Sequence, residues 1–148
     1  MATTYSNLLF HLVFGTKHRT PLIAPAWRDD LYSYIGGIVR QRRGTLLAAG
    51  GMPDHIHLLV KLPTDLCVAE LVRDAKAISS GWRRESADAG FGWQTGFGAF
   101  TVSESVAPAV VKYIHAQQEH HQAQTFEAEF VELLNRHGID YNLKYLWD

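Results

Sequence analysis

The chain has 148 residues, 47% hydrophobic and 20% charged, which suits one globular domain over 1–148 and lies far from the low-hydrophobicity, high-charge signature of disorder. Its formal net charge of -1, from 14 Lys/Arg and 15 Asp/Glu, lacks the basic excess of a nonspecific nucleic-acid binder. No apolar run reaches the roughly 18 residues of a membrane span, and the N-terminus has no secretory pattern, so a soluble, cytoplasmic protein with no membrane partner is expected. The single cysteine, Cys67, excludes an intrachain disulfide and a multi-cysteine zinc site, and reads as core filler. Charge is uneven: residues 1–100 hold 11 Lys/Arg against 8 Asp/Glu, while 101–148 hold 3 against 7, which places any anion-binding surface in the first two thirds.

From Asn7 to Gly15 the run NLLFHLVFG is almost continuously apolar, as expected of a strand covered on both faces. After Pro21 and Pro25, the apolar positions Trp27, Leu31, Tyr34, Ile35 and Ile38 recur at helical spacing up to a basic run stopped by Gly44. Thr45 to Gly51 reads as a short second strand, and a Gly-Met-Pro-Asp turn leads into DHIHLLVKLP, a third strand of period two. Val68, Leu71, Val72, Ala75, Ile78 and Trp82 define one face of a second helix from Cys67 to Glu85, and its opposite face is basic. Gly90 to Gly96 is a glycine-rich aromatic loop, and Phe97 to Ser103 a fourth strand. Ser105 is expected to cap a third helix, SVAPAVVKYIHAQQEHH, with Pro108 in its first turn. Thr125 to His137 forms a last helix ended by Gly138. The order strand, helix, strand, strand, helix, strand is the split βαβ pattern of an α+β, ferredoxin-like domain with an antiparallel sheet; the additional C-terminal helices carry Tyr113.

Fold alone does not assign chemistry. His55 and His57 lie two apart on the third strand, so both imidazoles project from one face, about 7 Å apart along the backbone. Ile56, Leu58, Val60 and Leu62 take the other face under the two helices. The histidines therefore point away from that core, and burial is not expected to explain them. Asp54 either orients an imidazole or closes the turn. Two histidines do not complete a catalytic metal site. Tyr113 and Gln117, four residues apart, share a helical face, so a helix that brings Gln117 to a metal brings Tyr113 within about one turn of it. His120 and His121 lie near the same face and are read as solvated or packing residues before competing ligands; His11 and His115 receive no role.

The segments PDHIHLLV, LVRDAKAISSGW, FGWQTGFGAFTVS and VVKYIHAQQ, with the first strand, resemble the HUH-superfamily single-tyrosine transposases of bacterial and archaeal insertion sequences. The resemblance implies that His55 and His57 hold a catalytic divalent metal, Mg or Mn, with Gln117 as third ligand and Tyr113 as nucleophile. It implies cleavage and rejoining of hairpin-bearing single-stranded DNA through a 5′-phosphotyrosine. It further implies a homodimer whose active sites draw histidines from one chain and the tyrosine helix from the other. Nitrogen ligands themselves favour Mn or Zn over Mg.

Arg73, Lys76, Ser80 and Arg83 form a polar stripe on the second helix with Arg84 beside it, and Arg40, Arg42 and Arg43 cluster at the end of the first. Such runs are commonly solvated faces; the resemblance raises the expectation that they contact DNA phosphates. Trp93, Phe97 and Phe100 are candidates for base stacking, with core packing the blander use. The rival readings are a noncatalytic binder of hairpin DNA, favoured by the mild acidity, and a metal-dependent hydrolase or small-ligand binder with Tyr113 in the core.

Overall fold

The computed structural model describes residues 2–147. Strands β1 (Leu8–Gly15), β2 (Thr45–Met52), β3 (His55–Leu62) and β4 (Gly98–Val102) form one sheet in the order β2-β3-β1-β4, every neighbouring pair antiparallel. Helix α1 (Arg28–Gln41) joins β1 to β2, and α2 (Val68–Ser86) joins β3 to β4. This is the α+β arrangement that the order of elements predicts.

Leu31, Ile35 and Val39 of α1 and Leu71 and Val72 of α2 recur every three or four residues, so each helix presents one apolar stripe to the sheet. They pack against Leu12, Phe14, Ile56, Leu58, Val60 and Leu62. Each large side chain so buried stabilises the fold by about 1.5–3 kcal/mol before conformational entropy is subtracted. Cys67 lies outside this core: it is exposed where the chain enters α2, which corrects the filler role expected for it.

The third predicted helix is divided. Glu104–Val106 is a 3-10 turn in which Ser105 bonds Ser103 through their hydroxyls at 3.1 Å, so Ser105 caps nothing. Helix α3 (Ala107–His115) follows with Pro108 in its first turn, then Ala116 departs from helical geometry and α4 (Gln117–His120) makes a single turn. Helix α5 (Phe126–Arg136) is N-capped by Thr125, whose Oγ1 accepts the Ala128 N–H at 3.2 Å. The end of α1 also differs in detail: Arg43, not Gly44, takes the left-handed conformation (φ 66°), and the Gly44 N–H bonds the Val39 carbonyl at 3.0 Å.

These C-terminal helices cover the second face of the sheet. Ile114 of α3 packs on Leu9, Ala48 and Leu59, and Phe126, Phe130 and Leu134 of α5 pack on Val13 and Phe100. Both histidines of β3 do point away from α1 and α2, yet they are 0% exposed, because a second layer closes over them. Two glycines make room for it. Gly50 on β2 faces His57 across the register, and a Cβ there would lie 2.2 Å from the Ile114 carbonyl oxygen; Gly15 on β1 faces His55, where a Cβ would lie 3.0 Å from the Phe126 ring. Among the described residues no helix is long and apolar enough to cross a membrane.

Gly50→Ala is expected to push α3 off β2, because the obstructing atom is backbone and cannot rotate away. Urea unfolding should show a loss of about 1–3 kcal/mol, the usual cost of overpacking.

Candidate active site

Strand β3 is paired on both edges, so its side chains have little freedom to shift. His55 Nδ1 lies 2.8 Å from Asp54 Oδ1, which turns Nε2 inward, and its ring stacks on Phe126 at 4.0 Å between centroids. His57 Nδ1 lies 2.8 Å from His11 Nε2 on β1, and its Nε2 also faces inward. Both imidazoles thus have their outer nitrogen fixed and their inner nitrogen presented, the arrangement by which ligating histidines are oriented.

Gln117 enters from α4 with Oε1 3.1 Å from His55 Nε2. Tyr113 enters from α3 with its ring centroid 5.7 Å from that of His57. The four residues singled out in the sequence for metal and nucleophile therefore meet inside one chain.

They meet around a residue not singled out. Glu129 of α5 is 1% exposed; its Oε1 lies 2.9 Å from His57 Nε2, 3.3 Å from His55 Nε2 and 3.2 Å from His121 Nε2. Its Oε2 accepts bonds from the Tyr113 hydroxyl and, at 3.1 Å, from Gln117 Nε2. His121 Nε2 is also 3.0 Å from Gln117 Oε1, so this histidine belongs to the cluster instead of solvent. The sequence does hold a signal for Glu129: it stands three residues after Phe126 and one before Phe130, inside the apolar stripe of its helix, where an unpaired charge does not belong. For His11 the signal is a lone polar side chain in a strand buried on both faces.

The electrostatics follow from this burial. Desolvation alone would raise the Glu129 carboxyl, but hydrogen bonds from His121, His55 and His57 outweigh it and hold the group well below the carboxylate range. Burial lowers His55, yet the Asp54 and Glu129 carboxylates more than compensate, and it rises to about 9. For His57 burial wins over Glu129, and its value falls to about 4. Tyr113 is pushed up by burial and by its bond to Glu129, so the phenol is held protonated.

One ligand atom from each of His55, His57, His121 and Glu129 lies within 4.8 Å of every other. Three imidazoles, a carboxylate and the Gln117 carbonyl mix nitrogen and oxygen donors, which Mn(II) and Zn(II) accept more readily than Mg(II), an ion that prefers oxygen.

The basic residues are less free than their spacing suggests. Arg42 Nε lies 3.0 Å from Asp74, Arg73 Nε 3.3 Å from the same carboxylate, and Arg43 2.7 Å from Asp65. Lys76 donates to the carbonyls of Gln94, Thr95 and Gly96 at 2.7–3.2 Å, and burial lowers it to about 8. Arg83 lies 3.7 Å over the Trp27 ring. Arg40 has no ion-pair partner among the described residues. Beside α2 runs a cleft of about 780 Å³ lined by Lys17, Arg73, Arg84, Trp93 and Phe97 among others. Trp93 is fixed there against Phe14 and by a 3.0 Å bond to Ser79 Oγ, Phe97 is 36% exposed, and Phe100 is core.

Residues 4–117 match the family described as IS200-like transposases. The ISDra2 transposase TnpA of Deinococcus radiodurans is 26% identical over 122 residues, covering 76% of this chain and 86% of that protein. A crystal structure of a transposase from Deinococcus radiodurans R1 superposes with a TM-score of 0.65 at 24% identity, covering 77% of this chain and 93% of the other. A REP-associated tyrosine transposase bound to a REP hairpin gives 0.62 at 18% identity, covering 82% and 73%. The last two likenesses establish the fold.

Burial, with His57 beside it, lowers His11 to about 3. A buried neutral imidazole favours the folded state above its unfolded value of 6.5, and that contribution is lost as pH falls toward 3. Between pH 7 and pH 4, in chelator, it amounts to about 3 kcal/mol. Unfolding titrations should show His11→Phe losing less stability than the native chain over that interval.

Proposed function

This chain belongs to the IS200-like transposases, single-tyrosine enzymes of the HUH superfamily, and on that footing we propose that it cleaves and rejoins hairpin-bearing single-stranded DNA at element ends in the cytoplasm. The observation that carries the reading is the convergence of Tyr113, His55, His57 and Gln117 from three elements onto one buried point. The Tyr113 oxygen loses its proton and forms a bond to the scissile phosphorus, the bond from phosphorus to the 3′ oxygen breaks, and the departing 3′ oxygen takes up a proton to leave a 3′ hydroxyl. The 5′-phosphotyrosine preserves the energy of the broken bond, and attack by another 3′ hydroxyl reverses the step. A divalent ion, Mg or Mn, held by His55, His57 and Gln117 supplies the Lewis acid that polarises the phosphate when bound.

The other residues act by position. Asp54 and His11, each bonded to an outer nitrogen, fix the orientation of the two imidazoles with their inner nitrogens turned into the site. Phe126 covers the His55 ring and excludes water from it. Arg40, Arg42, Arg43 and Arg73 are proposed as phosphate contacts; the ion pairs of Arg43 and Arg73 are surface-exposed, so exchanging them for phosphate costs little. Lys76 and Arg83, also expected on the DNA, are engaged within the chain, Lys76 with the carbonyls of the loop at 94–96 and Arg83 with the Trp27 ring.

Because Tyr113 reaches the histidines of its own chain, one copy holds a complete set of the proposed residues. A homodimer that shares its sites, as the family resemblance implies, would form the same contacts by exchanging α3 to α5 between copies.

The test is incubation of the chain with Mn or Mg and 3′-labelled, hairpin-bearing single strands from the flanks of its gene, followed by a denaturing gel. The expected result is a labelled species heavier by one chain, 16.6 kDa, absent for Tyr113→Phe and absent without metal. Hairpin binding with no adduct under either metal would establish the noncatalytic reading instead. Mixing Tyr113→Phe with His57→Ala chains separates the two assemblies. Sites complete within one copy give no recovery of cleavage, and recovery in proven heterodimers would demonstrate the exchange.

A further inference from the structure

Glu129 and His121 lie beyond residues 4–117, the part of the chain that the family description covers. Glu129 is nonetheless the residue around which the site is arranged. A carboxylate at 1% exposure needs positive charge close by, and its partners are His55, His57, His120 and His121 with Tyr113 and Gln117. No lysine or arginine is among its ion-pair partners in the described residues. Counter-charge must come from protons on the imidazoles or from a metal ion between them and the carboxylate.

The spacing suits the ion. Ligand bonds of about 2.1 Å in tetrahedral or octahedral geometry place neighbouring donors about 2.9–3.4 Å apart. From Glu129 Oε1 to the inner nitrogens of His57, His121 and His55 the distances are 2.9, 3.2 and 3.3 Å, and Gln117 Oε1 is 3.1 and 3.0 Å from those of His55 and His121. The outer nitrogen of His121 is fixed like those of His55 and His57, donating to the Gln124 carbonyl at 2.6 Å. Three imidazoles thus present their inner nitrogens to the same carboxylate oxygen.

We propose that Glu129 and His121 are metal ligands in the DNA-free protein, so that the chain's own α5 completes a centre of three histidines, one glutamate and one glutamine. The proposal rests on the metal-assisted reading above and adds two ligands to it. The same carboxylate also holds the tyrosine hydroxyl through Oε2, which links metal binding to the position of the nucleophile.

The test is Mn(II) binding to the full chain without DNA, followed by loss of the free-ion EPR signal, with pulsed EPR to count coupled imidazole nitrogens. The expected results are three coupled imidazoles in the native chain, two in His121→Ala, and affinity weakened at least about tenfold by Glu129→Gln and by His121→Ala, as loss of ligand-shell contacts does elsewhere. Two imidazoles in the native chain overturn the proposal, and that count needs no variant to fold. Unchanged affinity in both variants, while His55→Ala abolishes binding, overturns it too and leaves the reading on His55, His57 and Gln117 intact. If the native chain binds no Mn(II) at all, both fall.

Discussion

A carboxylate buried without lysine or arginine among its partners is costly unless every neighbour is arranged to serve it, and Glu129 is such a group. Its requirements explain the C-terminal half. Helix α3 brings a phenol, α4 an amide, the turn after α4 an imidazole, and β3 two more, each with a donor on Glu129. Tyr113, Gln117 and His121 stand at i, i+4 and i+8, which in a straight helix would spread them over about 12 Å. The break at Ala116 falls within that interval, and all three side chains reach one carboxylate.

Close approach is the companion constraint. Each histidine of β3 has a glycine as one cross-strand neighbour, Gly15 beside His55 and Gly50 beside His57. A side chain at the first would meet Gln94 Oε1 and the Phe126 ring, and one at the second the Ile114 backbone, so Gly50 sets how near α3 comes to the sheet. Tyr113 adjoins Ile114. The distance from nucleophile to histidines is therefore fixed by an absent side chain on another strand.

The sheet, its order and its two covering helices were legible because hydrophobic period reports them directly, as at Leu31, Ile35 and Val39 or along β3. His55, His57, Gln117 and Tyr113 were legible as a set through spacing together with family resemblance. The burial of the histidines was not, because the second layer comes from helices whose docking leaves no local mark on β3. Glu129 was hidden among Glu127 and Glu132 in an acidic segment that looks solvated; only its place between Phe126 and Phe130 distinguishes it. The basic stripe was legible as a pattern but not in its partners. Periodicity aligns Arg73, Lys76 and Arg83, but it cannot show that Lys76 spends its donors on three loop carbonyls or that Arg83 lies on Trp27.

The two sides of the cluster differ in stiffness. His55 and His57 belong to a strand laced on both edges, with their outer nitrogens tied to Asp54 and His11. Gln117 sits on a single helical turn, and Glu129 on a helix reached through a short connection. With the ligand set proposed above, ions of different radius would be accommodated by movement of α4 and α5 against β3, and discrimination between metals would reside in the C-terminal helices, not in the histidine pair.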